Sequence, residues 1–462
     1  MNQTEVKKQK EYIDKIKKIN EGKNPKYFLM TMGCQLNEND SEKLAGMLTE
    51  MGYSETKKIE DADFVLFNTC CVRENAEEKL FGKLGEVKKL KQTRGTLIGI
   101  GGCMMQEQHV LDKIKKSYRY TDVVFGTHTL HRFPQDVYEV LTQNKQINDV
   151  IDIDGEIYEG LPIKRNDKVR ASVTIMNGCN NFCTYCIVPY VRGRERSRSP
   201  KDILNEIREL AKEGYLEVTL LGQNVNSYKG NGEDGIYHFS DLLRKVNEID
   251  GIQRIRFISP HPKDFSDDVI EAIRDCDKVC KLIHLPLQAG NNKVLKEMNR
   301  NYTKEKFLNL VGKMKERIPN VVFSTDIMVG FPGETEEEFE DTLDVVRKVE
   351  FEQIYMFIYS RRIGTPADKR KDQIPEEIKH ARFNRLKELM EIQAEKNNQK
   401  YLNKVVNVLV EGPSKNNDKL LSGRTEENKV VVLEGDISII HTIVPVRSTV
   451  TKSWYLIGKL EK

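Results

Sequence analysis

The stretch NGCNNFCTYCIVPY, residues 177–190, places Cys179, Cys183 and Cys186 within eight positions. It directly follows ASVTIM (171–176), an apolar run that reads as a buried strand. Three soft thiolates in a C-x3-C-x2-C pattern suit zinc or an iron–sulfur cluster. A structural zinc site closes with four protein ligands, and this loop holds no histidine and no further cysteine to supply the fourth. A cubane with one iron lacking a protein ligand is the better reading.

Working outward, five more apolar runs follow: LEVTLL (216–221), QRIRFI (253–258), KLIHLPL (281–287), VVFSTDIMV (321–329) and QIYMFIY (353–359). Amphipathic stretches such as KDILNEIRELAKEG separate them. Six βα repeats over residues 165–395 predict a partial (βα)6 version of the closed eight-fold barrel, whose ligands gather at the C-terminal strand ends. Unusual residues cluster there: the cysteine loop after the first strand, GQN (222–224) after the second, SPHP (259–262) after the third and Gln288 after the fourth. Asp326 lies in the fifth strand, which VGFPGET (329–335) follows.

Upstream, KYFLMTM (26–32), DFVLFNT (63–69), TLIGIGG (96–102) and DVVFG (122–126) alternate with helical patterns. This α/β alternation predicts an N-terminal doubly wound parallel-sheet domain over 26–145. Cys34, Cys70 and Cys103 each fall just past one of its first three strands, where such sheets bind ligands. They are either ligands converging on one edge or small thiols filling helix–strand corners. Cys71 should point away from its neighbour, and Cys276 and Cys280 match no ligand motif; all three read as packing. Residues 1–25 read as a charged, solvated extension. At the other end, VVNVLVEG, KLLSGRTEE, KVVVLEG, SIIHTIVPVRS and WYLIGKL predict five short strands, a small β-barrel over 398–462.

A chain of 462 residues exceeds one hydrophobic core. It has no apolar run of about 18 residues to span a membrane, and its N-terminus lacks the apolar stretch of a signal peptide. A cytoplasmic location is expected, where thiols stay reduced. Nine cysteines there point to metal or catalysis rather than disulfides. The net charge of +3 does not by itself imply nucleic acid, but VRGRERSRSPK sets Arg192, Arg194, Arg196 and Arg198 beside the cysteine loop, where they could hold a phosphate backbone or a cofactor carboxylate, or form a solvated loop with an ion pair to Glu195.

The triplet resembles the signature of radical S-adenosylmethionine (SAM) enzymes. The resemblance implies that the free iron chelates SAM and that the reduced cluster cleaves it to a 5′-deoxyadenosyl radical. TMGCQLNENDSEK, FNTCCVRENAEEKLFGKLG, GIGGCMMQE, LLGQNVNSY, HLPLQAGNNKVLKEMNR, DIMVGFPGETEEEFEDTL and FIYSRRIGTPA are similar to segments of the methylthiotransferase family. That likeness covers nearly all of residues 26–462. It implies two [4Fe–4S] clusters, one on Cys34, Cys70 and Cys103 and one on Cys179, Cys183 and Cys186. SAM would serve as both methyl donor and radical source, bound with help from Tyr185, Gln223, Asn224 and Asp326. The C-terminal barrel resembles the RNA-binding TRAM domain, with Arg424 of SGRTEE as a candidate RNA contact. The nearest members act on N6-isopentenyladenosine at position 37 of tRNA, giving its 2-methylthio form. Sister enzymes act on threonylcarbamoyladenosine or on an aspartate of a ribosomal protein. The implied partners are tRNA, an electron donor such as flavodoxin or ferredoxin, and a sulfur donor that the sequence leaves open; no membrane is involved. A non-catalytic iron–sulfur RNA-binding protein is the competing reading from another class.

Overall fold

A computed structural model describes residues 2–72, 76–151, 156–415 and 417–461. Arg73, Glu74 and Asn75 of the segment FNTCCVRENAEEKLFGKLG lie outside the described residues. The chain divides into two compact units. One gathers the chain up to Asn166 with Met176–Phe182 and Cys186–Arg198; the other gathers Asp167–Ile175, Cys183–Tyr185 and everything from Ser199 onward.

The first unit is built on a six-stranded sheet. Lys26–Thr31 lies between the short Ser54–Glu55 and Phe64–Thr69, followed by Leu97–Gly102, Val123–Phe125 and Ile147–Asp149. Every pairing is parallel, and both faces are covered. Alternation along Phe64–Thr69 sends Phe64 and Leu66 to one side and Val65 and Phe67 to the other. The first pair packs with Leu44, Met47, Phe133 and Val137. The second packs with Leu80, Leu84, Val110 and Ile114. The expected doubly wound domain is therefore present, and the strands carrying the three cysteines are direct neighbours.

The N-terminal segment is not a solvated extension. Asn2–Asn20 is a helix whose Ile13 and Ile16 are buried in the first of those cores. Gln9 accepts a bond from the Gln135 backbone N–H, and Tyr12 packs on Tyr138 with ring centroids 5.3 Å apart. The buried residues described fall at 6, 9, 13, 16 and 20, a helical stripe that the surrounding lysines obscure.

The second unit holds the six expected βα strands as two three-stranded parallel sheets. Arg170–Thr174, Glu217–Leu221 and Arg254–Phe257 form one; Leu282–His284, Val322–Val329 and Gln353–Ile358 form the other. A parallel bridge from Ile255 to Val279 extends the first sheet toward the second. The helix Glu336–Val349 shows how local sequence sets an element. Thr335 accepts from the Glu338 N–H while the Glu338 carboxylate accepts from the Thr335 N–H, a capping box. Phe339, Leu343 and Val346 then recur on one buried face. An antiparallel hairpin, Lys229–Gly232 with Gly235–His238, was not anticipated.

The C-terminal strands close a five-stranded barrel in the order Val405–Ser414, Asn417–Arg424, Val430–Leu433, Tyr455–Leu460, Ile443–Thr451. Its core is Val408, Val410, Leu421, Val431, Leu433, Val446 and Leu456. Two arginines of Arg254–Phe257, the first buried and the second half-buried, fasten it within the unit. Arg254 donates to the Arg424 and Asn407 carbonyls at 2.9 and 2.8 Å, and Arg256 to those of Glu426 and Thr425 at 2.7 and 3.0 Å.

Candidate functional site

In the first unit, Cys34, Cys70 and Cys103 stand at the carboxyl ends of three adjacent parallel strands. Two glycines permit this approach. Gly33 has φ +127°, and a Cβ there would lie 2.5 Å from the Cys70 Cβ; Gly102 has φ +99°, and a Cβ there would lie 2.5 Å from the Thr69 carbonyl oxygen. Such backbone favours glycine, and each one immediately precedes a cysteine. Asn37 secures the edge. Its Nδ2 donates to the Met32 and Thr69 carbonyls, and its backbone carbonyl accepts from Asn68. Cys34 is exposed and Cys70 and Cys103 are buried.

Cys71 is not exposed: it packs with Cys103, Ile187 and Val191, as its reading as a packing residue expects, and its thiol bonds that of Cys103. That bond and the adjacent Arg192 guanidinium bring the Cys103 thiol down to about 6 despite burial. The Cys71 thiol, as the bonded partner and itself buried, is pushed up.

Arg192 is not presented to RNA. It is buried, donating from Nε to the Cys103 sulfur at 3.1 Å and from Nη2 to Asn37 Oδ1 at 2.8 Å and Asp40 Oδ2 at 2.7 Å. Arg198 is likewise taken up internally, in a two-pronged pair with Glu159 at 2.7 and 2.6 Å. Arg194 remains exposed and stacks on Phe182, its guanidinium 4.4 Å from the ring centre. Arg196, half-buried, donates to the Arg192 carbonyl and lines a cavity with Asp40, Lys43, His128 and Tyr158. Arg424, in the second unit, pairs with Glu411 at 3.2 Å.

The close triplet follows Arg170–Thr174, as the sequence implies. Cys179 and Cys186 group with the first unit and Cys183 with the second. In the first, the Cys179 N–H donates to the Gly193 carbonyl, and Asn181 Nδ2 lies 3.5 Å from the Cys179 sulfur. Phe182, just before Cys183, holds a left-handed φ of +47°, a costly conformation that clusters at functional sites. In the second unit, Thr184 bonds the Met298 and Glu297 carbonyls and accepts from Ala367 N–H.

Around Cys183 lies a layer that sequence reasoning missed. Arg300 Nη1 donates to the Cys183 sulfur at 3.5 Å, Nη2 to the Pro286 carbonyl at 3.1 Å, and Nε to the Tyr302 hydroxyl at 3.1 Å. His261 packs edge-on against Tyr302. Its Nδ1 accepts from the Lys263 N–H, which assigns the ring proton to Nε2. Burial, reinforced by Arg300, holds its pKa down at about 2. The available signals were the SPHP stretch and the final Asn-Arg of HLPLQAGNNKVLKEMNR.

The candidate SAM residues of the second unit occupy its strand ends. Gln223 follows Glu217–Leu221, and its buried Oε1 has no partner among the described residues. Asn224 is buried with Nδ2 donating to Asp264 at 2.9 Å. Asp326 Oδ2 stands 3.4 Å from His284 Nε2, and Tyr185 is half-buried. Among the described residues no three of His, Cys, Asp or Glu converge on one metal ion. A cubane instead takes each thiolate on a different iron, so two all-thiolate sets fit its donor chemistry.

Residues 173–346 match the Radical SAM superfamily, 26–126 the Uncharacterized protein family UPF0004 and 399–460 the TRAM domain. The fold and site therefore define a radical SAM enzyme, a class that uses SAM and a [4Fe–4S] cluster. The tRNA-2-methylthio-N6-dimethylallyladenosine synthase of Acetivibrio thermocellus is 55% identical, the match covering 99% of this chain and 96% of that one. Those of Clostridium beijerinckii and Clostridioides difficile are 54% and 51% identical, covering 94% and 98% of this chain and 96% and 97% of theirs. The chain belongs to this methylthiotransferase family. Among solved structures, the radical S-adenosylmethionine methyltransferase TsrM from Kitasatospora setae shares the fold at a TM-score of 0.54 and 13% identity, covering 74% of this chain and 77% of that one. No helix among the described residues is long and apolar enough to cross a membrane.

Proposed function

We propose that this protein methylthiolates tRNA, converting N6-isopentenyladenosine at position 37 to its 2-methylthio form. The observation that carries the reading is the 51–55% identity to synthases of that product along nearly the whole chain. When bound, SAM and its cluster supply a radical able to open the inert C2–H bond of adenine, and an auxiliary cluster supplies the sulfur. The chain's own task is to hold and orient them. Cys179, Cys183 and Cys186 ligate the radical cluster and leave one iron without a protein ligand. Cys34, Cys70 and Cys103 ligate the auxiliary one; the Gly33–Cys70 and Gly102–Thr69 contacts support that set, because they draw the three strand ends together.

Gln223 offers SAM an acceptor, Asp326 a carboxylate and Tyr185 an aromatic face, while Asn224 serves through the Oδ1 end of its amide. Arg194, Arg196 and Arg424 remain the candidates for RNA contact. Exposed anticodon-loop bases suit protein readout of single-stranded RNA. A low-potential donor such as flavodoxin or ferredoxin delivers the electron, a separate donor renews the sulfur, and a tRNA substrate places the work in the cytoplasm.

The test is nucleoside mass spectrometry of tRNA from a strain deleted for this gene. 2-Methylthio-N6-isopentenyladenosine is expected to vanish, N6-isopentenyladenosine to accumulate, and a plasmid copy to restore the pattern. Persistence of the methylthio product, or loss of 2-methylthio-threonylcarbamoyladenosine in its place, would overturn the substrate assignment.

A further inference from the structure

Arg300 is a buried guanidinium with no carboxylate partner among the described residues. Its contacts are a phenol oxygen, a backbone carbonyl and the sulfur of Cys183. Burying a cation without an anion is costly, and elsewhere in this chain the cost is met: Arg192 has Asp40, and Arg382 has Glu334. Among the described residues the Cys183 sulfur is the partner left to the cation, because Tyr302 donates its own hydroxyl to the Pro286 and Leu287 carbonyls. The guanidinium is also fixed in direction, because Nη2 and Nε are each anchored and Nη1 is left to point at sulfur.

We propose that Arg300 is a positioning residue of the radical site. It acts through Cys183, holding that thiolate with a charge-assisted N–H···S bond and easing reduction of the cluster it ligates. Adding one electron increases the negative charge on the cluster and its sulfurs, so a fixed cation and donor beside one sulfur favour the reduced form. The inference rests on Cys179, Cys183 and Cys186 holding a cluster, as proposed above.

The test compares the full-length, anaerobically reconstituted wild type with Arg300→Gln and Arg300→Lys. Reduction is titrated by electron paramagnetic resonance, following the signal that responds to added SAM; iron content and circular dichroism report on loading and folding. For Arg300→Gln, the ratio of reduced to oxidised cluster at the wild-type midpoint should fall about tenfold, the scale of losing one charge-assisted bond. Arg300→Lys keeps the charge but not the planar fork and should fall between. A wild-type midpoint in an iron-loaded Arg300→Gln overturns the proposal. If that variant cannot retain iron, Arg300→Lys decides: a lowered midpoint supports the role, and an unchanged one overturns it. No RNA enters these measurements, so an error in substrate leaves them standing, whereas a wild type with no SAM-responsive signal fails the cluster assignment instead.

Discussion

Replacing Cys183 by alanine is expected to abolish tRNA methylthiolation while leaving a folded chain that still carries the auxiliary cluster. The thiol is small and buried, so its removal costs little packing. What disappears is one of the three thiolates of the radical site, and with it the cluster. Iron should drop from about eight to about four per chain, as expected for two four-iron sites. The outcome separates the enzyme from a protein that uses clusters only to build an RNA-binding surface. Such a protein would keep its cellular role in any variant that folds. An enzyme loses the methylthio nucleoside altogether, and Cys276→Ala, altering a buried thiol outside both triplets, should not.

The second large effect is on stability. Arg382 and Glu334 form a buried pair at 2.9 Å, and Glu334 also accepts from the Gly330 N–H at 2.8 Å. The contact ties the long helix Glu376–Gln399 to the VGFPGET loop that follows the Asp326 strand. Arg382→Ala leaves a buried carboxylate unpaired and is expected to cost about 3–5 kcal/mol. The pH dependence has a definite sign. Burial raises Glu334 to about 7, against the opposing Gly330 and Arg382 contacts. A carboxyl raised in the folded state adds no penalty below its unfolded value of 4.5; the penalty grows as pH rises and is complete above about 7. Without Arg382 the folded value rises further, so denaturant unfolding should show a larger loss at pH 8 than at pH 5. Adding Glu334→Gln should recover most of it. Equal losses at both pH values would mean the pair is not what holds the helix.

Much of this architecture was legible because its signals are local. Each strand carrying a cysteine, and each of the six barrel strands, is a compact apolar run bounded by turn residues, and the observed ends lie within a few positions of those read from sequence. The placement of Cys34, Cys70 and Cys103 followed from the rule that parallel sheets bind at their carboxyl edges, once the strands proved adjacent. What escaped depends on distant partners. Arg192 and Arg198 look like an exposed basic run, yet their carboxylates, Asp40 and Glu159, lie far away in the sequence. Arg300 is two residues from Tyr302 but more than a hundred from Cys183. The N-terminal helix misled because its sparse apolar stripe includes Gln9, a polar residue buried with bonds to Glu5 and the Gln135 backbone.

The most direct measurement is electron paramagnetic resonance of the reduced, iron-loaded protein before and after SAM is added. A displaced or reshaped [4Fe–4S] signal, attended by reductive cleavage of SAM to 5′-deoxyadenosine, is the predicted result. A spectrum that SAM leaves untouched, with no cleavage product, would contradict the reading that Cys179, Cys183 and Cys186 leave one iron open to it.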